Sequence, residues 1–237
     1  MSVDASSEPA SPRLAAVTDL LAAPEPQTVE ARADRQVWAR WLEGIDGAEA
    51  GLEVLPRELD RAQMCRLAEM LLGSDQVVGA FVVTMVWGHG DTGYGPFRTR
   101  QALTGQEKPQ GFALSTGVVE RLTESVAIAR RDGPVEGFRY LANDSRGRIK
   151  HLGPAFFTKW LYAATARGVH DREGAAPVLD DRVLTWVNSH TDLALRPWRT
   201  DDYAAYIEAL TAWGANAQPS RTAVGVEEAI FAATAKE

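Results

Sequence analysis

Apolar residues recur at spacings of three and four through most of this 237-residue chain. This feature constrains the fold more than any other, because such spacing places the apolar side chains on one face of an α-helix. A half-buried strand needs strict alternation instead, and the sequence contains neither a convincing set of alternating segments nor an internal repeat. We therefore predict an all-α fold of about nine or ten helices.

The first 28 residues differ from the rest of the chain. They are rich in Ser, Ala, Pro and Glu, which predicts a flexible acidic tail with a possible short helix at 14–22. Residues 29–237 are predicted to form a single helical domain. Within it, Pro56 is expected to open a helix, since proline suits the first turn. The glycine-rich segment WGHGDTGYGP at 87–96 predicts a loop.

Cysteine and histidine usage argues against a metal or a cofactor. Cys65 is the single cysteine of the sequence, so no disulfide, cysteine-held iron–sulfur cluster or cysteine-based zinc site is expected within the chain. The histidines at 89, 151, 170 and 190 lack the spacing typical of metal ligands. The longest apolar runs are shorter than the roughly 20 residues of a membrane span. Because no signal peptide is recognisable either, we expect no membrane association and a cytoplasmic location, in a bacterial-type cytosol or nucleoid.

The net charge of −7 is unevenly distributed. Residues 1–60 hold 12 acidic and 5 basic residues, whereas the remainder holds 20 of each. Residues 139–159 carry five basic residues against Asp144 alone. For contact with phosphates, a local basic patch matters more than the net charge of the whole chain. The simpler alternative is that these basic residues only form a solvated surface.

Two residues are placed where chemistry is expected. Lys159 lies at the edge of an otherwise apolar helix that begins at Pro154. Loss of water would disfavour its ammonium form and yield a nucleophilic amine. Asp180 stands where a helix N-cap is expected, so its carboxylate can stay ionised and stabilise a developing positive charge. The simpler alternatives are a lysine that extends to solvent and an aspartate that only caps a helix.

The stretch 149–187 resembles the helix–hairpin–helix DNA glycosylase superfamily, and within it the 8-oxoguanine DNA glycosylases, with the archaeal branch closest. The resemblance is carried by Leu152-Gly153-Pro154 at the hairpin, by Lys159 in the next helix, and by the segment PVLDDRV at 177–183 that contains Asp180. The hairpin consensus L-P-G-[VI]-G is absent, and Pro154 removes one backbone donor. A register shifted by one residue would select Asp181 instead.

The resemblance implies a helix–hairpin–helix motif, a central cleft and a DNA glycosylase that removes an oxidised purine such as 8-oxoguanine. Lys159 would also form a Schiff base and give the enzyme AP lyase activity, while Asp180 would assist bond cleavage. The implied partner is double-stranded DNA with a damaged base; no protein partner is inferred. The implied DNA-binding residues are Arg146, Arg148, Lys150, His151, Gly153 and Arg182.

A flipped base stacks on aromatic side chains, and Trp87 and Trp160 are the candidates, with core packing as the alternative for each. His89 and Asp91 are weaker candidates for reading a base edge. Two other functions stay open: a non-catalytic helix–hairpin–helix module that binds DNA or protein, and a helical scaffold unrelated to DNA. The enzyme hypothesis predicts that the Lys159 amine and the Asp180 carboxylate face one cleft within roughly 7 Å.

Overall fold

The fold is all-α, as the sequence predicts. In a computed structural model, the described residues are 12–23, 31–108, 110–143 and 145–234. They form twelve helices, slightly more than expected. These are α1 (Pro12–Ala22), α2 (Arg35–Leu42), α3 (Ala48–Val54), α4 (Arg61–Gly73), α5 (Val77–His89), α6 (Gly95–Thr104), α7 (Val118–Asp132), α8 (Pro134–Asn143), α9 (Pro154–Ala166), α10 (Asp181–His190), α11 (Thr200–Asn216) and α12 (Ala223–Thr234).

The described strands are two residues long each. β1 (Ala31–Arg32) pairs antiparallel with β2 (Glu58–Leu59), with Ala31 opposite Leu59. This small pairing holds the segments before α2 and α4 together. The hydrophobic core therefore comes from the packing of the helices.

Helices α5 and α9 form the centre of the molecule. Helix α5 packs against α3, α4, α6, α7 and α9, and α9 also contacts α4, α7 and α8. Residues 77–86 of α5 are all buried, as are residues 157–166 of α9. A helix that is apolar around its whole circumference needs neighbours on every side. The sequence of α5 therefore determines its central position.

Three local predictions are corrected by the structure. The helix expected from Pro56 begins instead at Arg61, because Asp60 and Gln63 form a capping box, which satisfies free backbone donors. The short helix that the sequence allowed at 14–22 is present as α1, but it is packed rather than part of a free tail, since Val17 and Leu21 are buried in the core. Residues 1–11 and 24–28 of the expected tail lie outside the described residues. The glycine-rich loop is shorter than predicted, since α5 continues to His89.

Within the described part of the chain, no helix is both long enough and apolar enough to cross a membrane. Asp144, which was counted in the charge of the basic segment, lies outside the described residues.

Candidate active site

A helical hairpin leads into the site. Helix α8 is followed by a turn at 145–147 and a short connection to α9. Gly147 is required there, since a Cβ at this position would overlap the backbone oxygen of Tyr140. Gly153 is the N-cap of α9 and Pro154 its first residue. The chain thus folds into two helices joined at the position that the sequence predicts.

The two residues singled out by the sequence meet in the structure. The Lys159 Nζ donates to Asp180 Oδ2 at 3.0 Å. The Asp180 Oδ1 accepts from the backbone N–H of Arg182 at 3.2 Å and from that of Val183 at 3.1 Å. Asp180 is therefore the N-cap of α10 and the ion-pair partner of the lysine at once. Asp181 is exposed, so the geometry selects Asp180.

The pair is largely removed from water. The Lys159 side chain is 10% exposed and that of Asp180 is 9% exposed. An ion pair shielded to this extent is less screened by salt and water than a surface pair. The 3.0 Å distance lies within the roughly 7 Å that the enzyme hypothesis predicts. Neither residue is among those that line the two cavities described below, so the structure does not place them together on the wall of either.

The segment before Asp180 is fixed from two sides. On the α9 side, Thr158 Oγ1 accepts from the backbone N–H of Leu179 at 3.1 Å, and Thr165 Oγ1 accepts from that of Ala176 at 2.8 Å. On the α11 side, Tyr203 donates to the Pro177 oxygen at 2.8 Å, and Tyr206 donates to the Val178 oxygen at 2.9 Å. These buried bonds set the position of Asp180 relative to α9. Such support is typical of a preorganised site.

Helix α5 approaches the lysine closely. A Cβ on Gly88 would lie 2.8 Å from Lys159 Cδ. The lysine Nζ is 5.2 Å from the centre of the Phe156 ring, and the His89 ring stacks on that same ring with centroids 4.0 Å apart. Burial, followed by the positive charges of Lys159 and Arg98, lowers the pKa of His89 to about 4. The imidazole is therefore neutral at physiological pH.

A cavity of about 510 Å³ opens beside this cluster. Its size lies within the roughly 300–1,000 Å³ typical of ligand sites. His89 and Phe156 form part of its wall, so it adjoins the aromatic group that contacts the lysine. Its lining residues are Met85, His89, Thr92, Tyr94, Arg98, Thr99, Ala102, His151, Leu152 and Phe156.

A second groove, of about 720 Å³, follows the hairpin connection. It brings together four of the predicted DNA-binding residues: Arg148, Lys150, His151 and Gly153. The Arg148 guanidinium also lies 4.9 Å from the centre of the Trp198 ring, a groove residue that the sequence reading did not single out. His151 lines both this groove and the cavity beside Phe156, so the two spaces share a wall.

Two of the predicted DNA-binding residues lie outside this groove. Arg146 borders a separate depression between α7 and α8. Arg182 places its guanidinium 4.5 Å from the centre of the Phe231 ring of α12. The structure therefore groups the hairpin residues but does not bring Arg146 or Arg182 into the same groove.

The two tryptophans predicted for the base pocket do not line the cavity. Trp160 is fully buried, and its indole N–H donates to Ser125 Oγ at 2.9 Å. Trp87 packs near Tyr162, with ring centroids 5.9 Å apart, and lies over the Arg61 guanidinium at 5.2 Å. Both rings are therefore packed against core residues, as the alternative interpretation predicted, and neither lines the cavity.

Asp91 is also occupied structurally. Its Oδ1 accepts from the backbone N–H of Arg32 at 2.9 Å, which ties the loop after α5 to β1. Of the two weaker candidates for base recognition, His89 alone lines the cavity.

Phe156, whose ring contacts both His89 and Lys159, was not predicted as a site residue. The signal that was available is its position three residues before Lys159 on the same helix.

A second buried ion pair lies near the first. Arg61 donates to both carboxylate oxygens of Glu227, at 2.8 and 3.0 Å. Burial raises the pKa of the Glu227 carboxyl, although the adjacent Arg61 opposes this, and the negative charge of Asp180 adds to the increase. This pair links α4 to α12 behind the site.

Among the described residues, no cluster of His, Cys, Asp and Glu has the arrangement of a metal site.

Comparison with known proteins gives a family. A sequence model of the family described as "Putative 8-oxoguanine DNA glycosylase OGG-like protein" matches residues 24–231, which is most of the chain. The chain belongs to this family. The resemblance inferred from the hairpin, Lys159 and Asp180 is thus confirmed at the level of the family. Family membership supports a DNA glycosylase-like role, with DNA as the partner. No curated protein and no solved structure matches the chain.

Proposed function

We propose that this protein excises an oxidised purine of the 8-oxoguanine type from double-stranded DNA and then cleaves the abasic strand through a Schiff base on Lys159. The observation that carries the proposal is the buried 3.0 Å contact between the Lys159 amine and the Asp180 carboxylate, in a chain of this family. The Phe156 ring, which contacts the lysine, lines a cavity of the size of a ligand site.

Base excision requires the damaged nucleotide to leave the stack, since its C1′ atom is not accessible within the duplex. As the glycosidic bond breaks, its electron pair leaves with the base and the sugar gains positive charge. Asp180 supplies a fixed negative charge for that state, because two backbone N–H groups of α10 hold one of its oxygens. A preorganised charge of this kind stabilises a transition state without reorganisation.

The lysine completes the reaction. Its nitrogen forms a bond to C1′, and the proton that the ammonium loses has the Asp180 carboxylate 3.0 Å away as acceptor. Opening of the sugar ring gives the Schiff base. Loss of a C2′ proton then breaks the C3′–oxygen bond and cuts the strand.

The amine must separate from Asp180 for this to happen. Its side chain is only 10% exposed, and its nitrogen is 5.2 Å from the centre of the Phe156 ring, which lines the cavity. We infer that entry of the flipped nucleotide displaces the lysine from the ion pair, with the energy of DNA binding offsetting the cost. The groove at Arg148 and Lys150 provides positive charge for phosphate contacts beside that cavity.

The test is trapping with borohydride on a duplex that carries 8-oxoguanine opposite cytosine. The wild-type protein is expected to give a covalent adduct, since borohydride reduces a Schiff base to a stable amine. Lys159→Gln is expected to give no adduct and to bind DNA normally. Lys108→Gln serves as the matched control, because it removes an exposed lysine that lies outside the site.

The other outcomes decide against the proposal. Salt-dependent DNA binding without an adduct, and without release of the base, would identify a non-catalytic binding module. Absence of both binding and adduct formation would leave a helical scaffold unrelated to DNA.

A further inference from the structure

We propose that His89, supported by the stacked Phe156 ring, binds the edge of the flipped base in the cavity beside Lys159. This inference rests on the proposed function and assigns the base-binding residue within that site. The position differs from both tryptophans that the sequence suggested: Trp160 is buried in the core, and Trp87 packs against it.

The location of His89 is the first argument. It lies in the last turn of α5, and its ring forms part of the wall of the 510 Å³ cavity. The stack on Phe156, with centroids 4.0 Å apart and planes at 25°, fixes the orientation of the imidazole. A residue that recognises a ligand needs such rigid support.

The hydrogen-bonding capacity of His89 is the second argument. Within the described part of the chain, no hydrogen bond engages either ring nitrogen; the bonds of this residue involve its backbone oxygen, which accepts from Thr92 Oγ1 at 2.8 Å. A neutral imidazole offers one donor and one acceptor, and a purine base presents both kinds of group along its edges. The ring therefore has the groups needed to bind a base edge.

The charge state of the ring supports this role. The pKa of His89 is lowered to about 4 by burial and by the charges of Lys159 and Arg98. The ring therefore keeps its acceptor nitrogen at neutral pH and adds no positive charge next to the lysine. A cation at this point would also oppose the positive charge that develops on the sugar.

Distance to the reacting amine is the third argument. The Phe156 ring contacts His89 on one side, and its centre is 5.2 Å from the Lys159 nitrogen. His89 and the amine that must reach C1′ therefore contact the same aromatic ring. The cavity wall also includes Arg98 and His151, and His151 lines the hairpin groove as well.

The experiment compares two substrates. A duplex with 8-oxoguanine requires recognition of the base, whereas a duplex with a preformed abasic site requires only the Lys159 amine. For His89→Leu, which removes the polar nitrogens but keeps a similar volume, we expect excision of 8-oxoguanine to fall roughly tenfold to a hundredfold. Borohydride trapping at the abasic site should stay within about twofold of wild type, since it needs no base recognition.

Two further variants separate binding from structure. His89→Gln retains a donor and an acceptor, so it should recover most of the excision that His89→Leu loses. His170→Leu removes an exposed histidine that does not line the cavity and should leave both reactions unchanged. Circular dichroism of each variant should match that of the wild type.

The outcomes that overturn the inference are distinct from those that overturn the proposed function. Equal excision by His89→Leu and the wild type, or loss of both reactions in a folded His89→Leu, shows that His89 does not bind the base. Absence of both reactions in the wild type instead refutes the proposed glycosylase and lyase activities.

Discussion

Replacement of Asp180 tests the energetic role of the buried ion pair. Asp180→Asn keeps a side chain that caps helices well but removes the charge that faces Lys159. A buried charge that loses its partner typically costs about 3–5 kcal/mol. Both side chains keep about a tenth of their exposure to solvent. We therefore expect a loss at the lower end of this range, about 3 kcal/mol of unfolding free energy.

Two related variants complete the argument. Asp180→Ala also removes the two cap bonds, which adds about 1 kcal/mol. Lys159→Met is expected to cost less, about 1–2 kcal/mol, because Asp180 keeps its bonds to the backbone of α10. The double variant Asp180→Asn/Lys159→Met has no unpaired buried charge. Its loss of unfolding free energy should therefore be smaller than the sum of the two single losses by at least about 1.5 kcal/mol.

The assay is urea denaturation at pH 7, monitored by tryptophan fluorescence and by circular dichroism. For a chain of this size, about 3 kcal/mol corresponds to a fall in melting temperature of roughly 6–12 °C. A cost below about 1 kcal/mol for Asp180→Asn, together with additive effects in the double variant, would refute the reasoning, since the pair would then be weak or absent.

Further predictions concern the surroundings of the pair. The pKa of His89 is about 4 in the folded protein and 6.5 in an unfolded chain, so on acidification the unfolded chain takes up the proton first. As the pH decreases from 6.5 to 4, the free energy of unfolding of the wild type should therefore fall by about 2–3 kcal/mol more than that of His89→Gln. Denaturation curves at the two pH values measure this difference. Gly88→Ala places a Cβ 2.8 Å from Lys159 Cδ, so borohydride trapping should fall several-fold while the melting temperature changes little; unchanged trapping would contradict the close packing. Burial raises the pKa of Cys65 to about 11, and a thiol reagent at pH 8 should label it by mass spectrometry only after unfolding. Arg148→Ala should reduce the slope of log K against log salt by about one in a fluorescence-anisotropy titration, and an unaltered slope would exclude a phosphate contact.

The sequence predicted that Lys159 and Asp180 lie close together because the relevant signals are local. Proline at the start of α9, and an aspartate directly before the apolar positions of α10, define where both helices begin. The number of residues in α9 and the following loop then brings Lys159 and Asp180 together, as the 3.0 Å contact shows. The roles of these residues in the reaction stay predictions.

The lining of the cavity beside Phe156 was not predictable in the same way. Whether an aromatic ring faces the core or an opening depends on the rotation of its helix against distant helices, which local spacing does not fix. Trp160 bonds to Ser125 of α7, and Trp87 packs beside Arg61 of α4. The length of α5 was underestimated for a related reason, since glycine disfavours a helix locally but Gly88 is needed where Lys159 packs against it.

Helix starts show the same balance between local and distant effects. Pro56 suits a first turn, yet the capping box at Asp60 and Gln63 places the start of α4 at Arg61. The sequence allowed a short helix at 14–22 within a flexible tail, whereas α1 packs Val17 and Leu21 into the core beside α10, α11 and α12. Burial by distant helices supplied the stability that composition alone did not indicate.

The most direct measurement is the position of the trapped sugar. The sequence contains four lysines, at 108, 150, 159 and 236, so proteolysis of the borohydride-reduced adduct followed by mass spectrometry distinguishes them. The account predicts that the sugar remnant is on Lys159. A remnant on Lys150, on another lysine or on the terminal amine would contradict it, since the amine beside Asp180 would then not be the nucleophile.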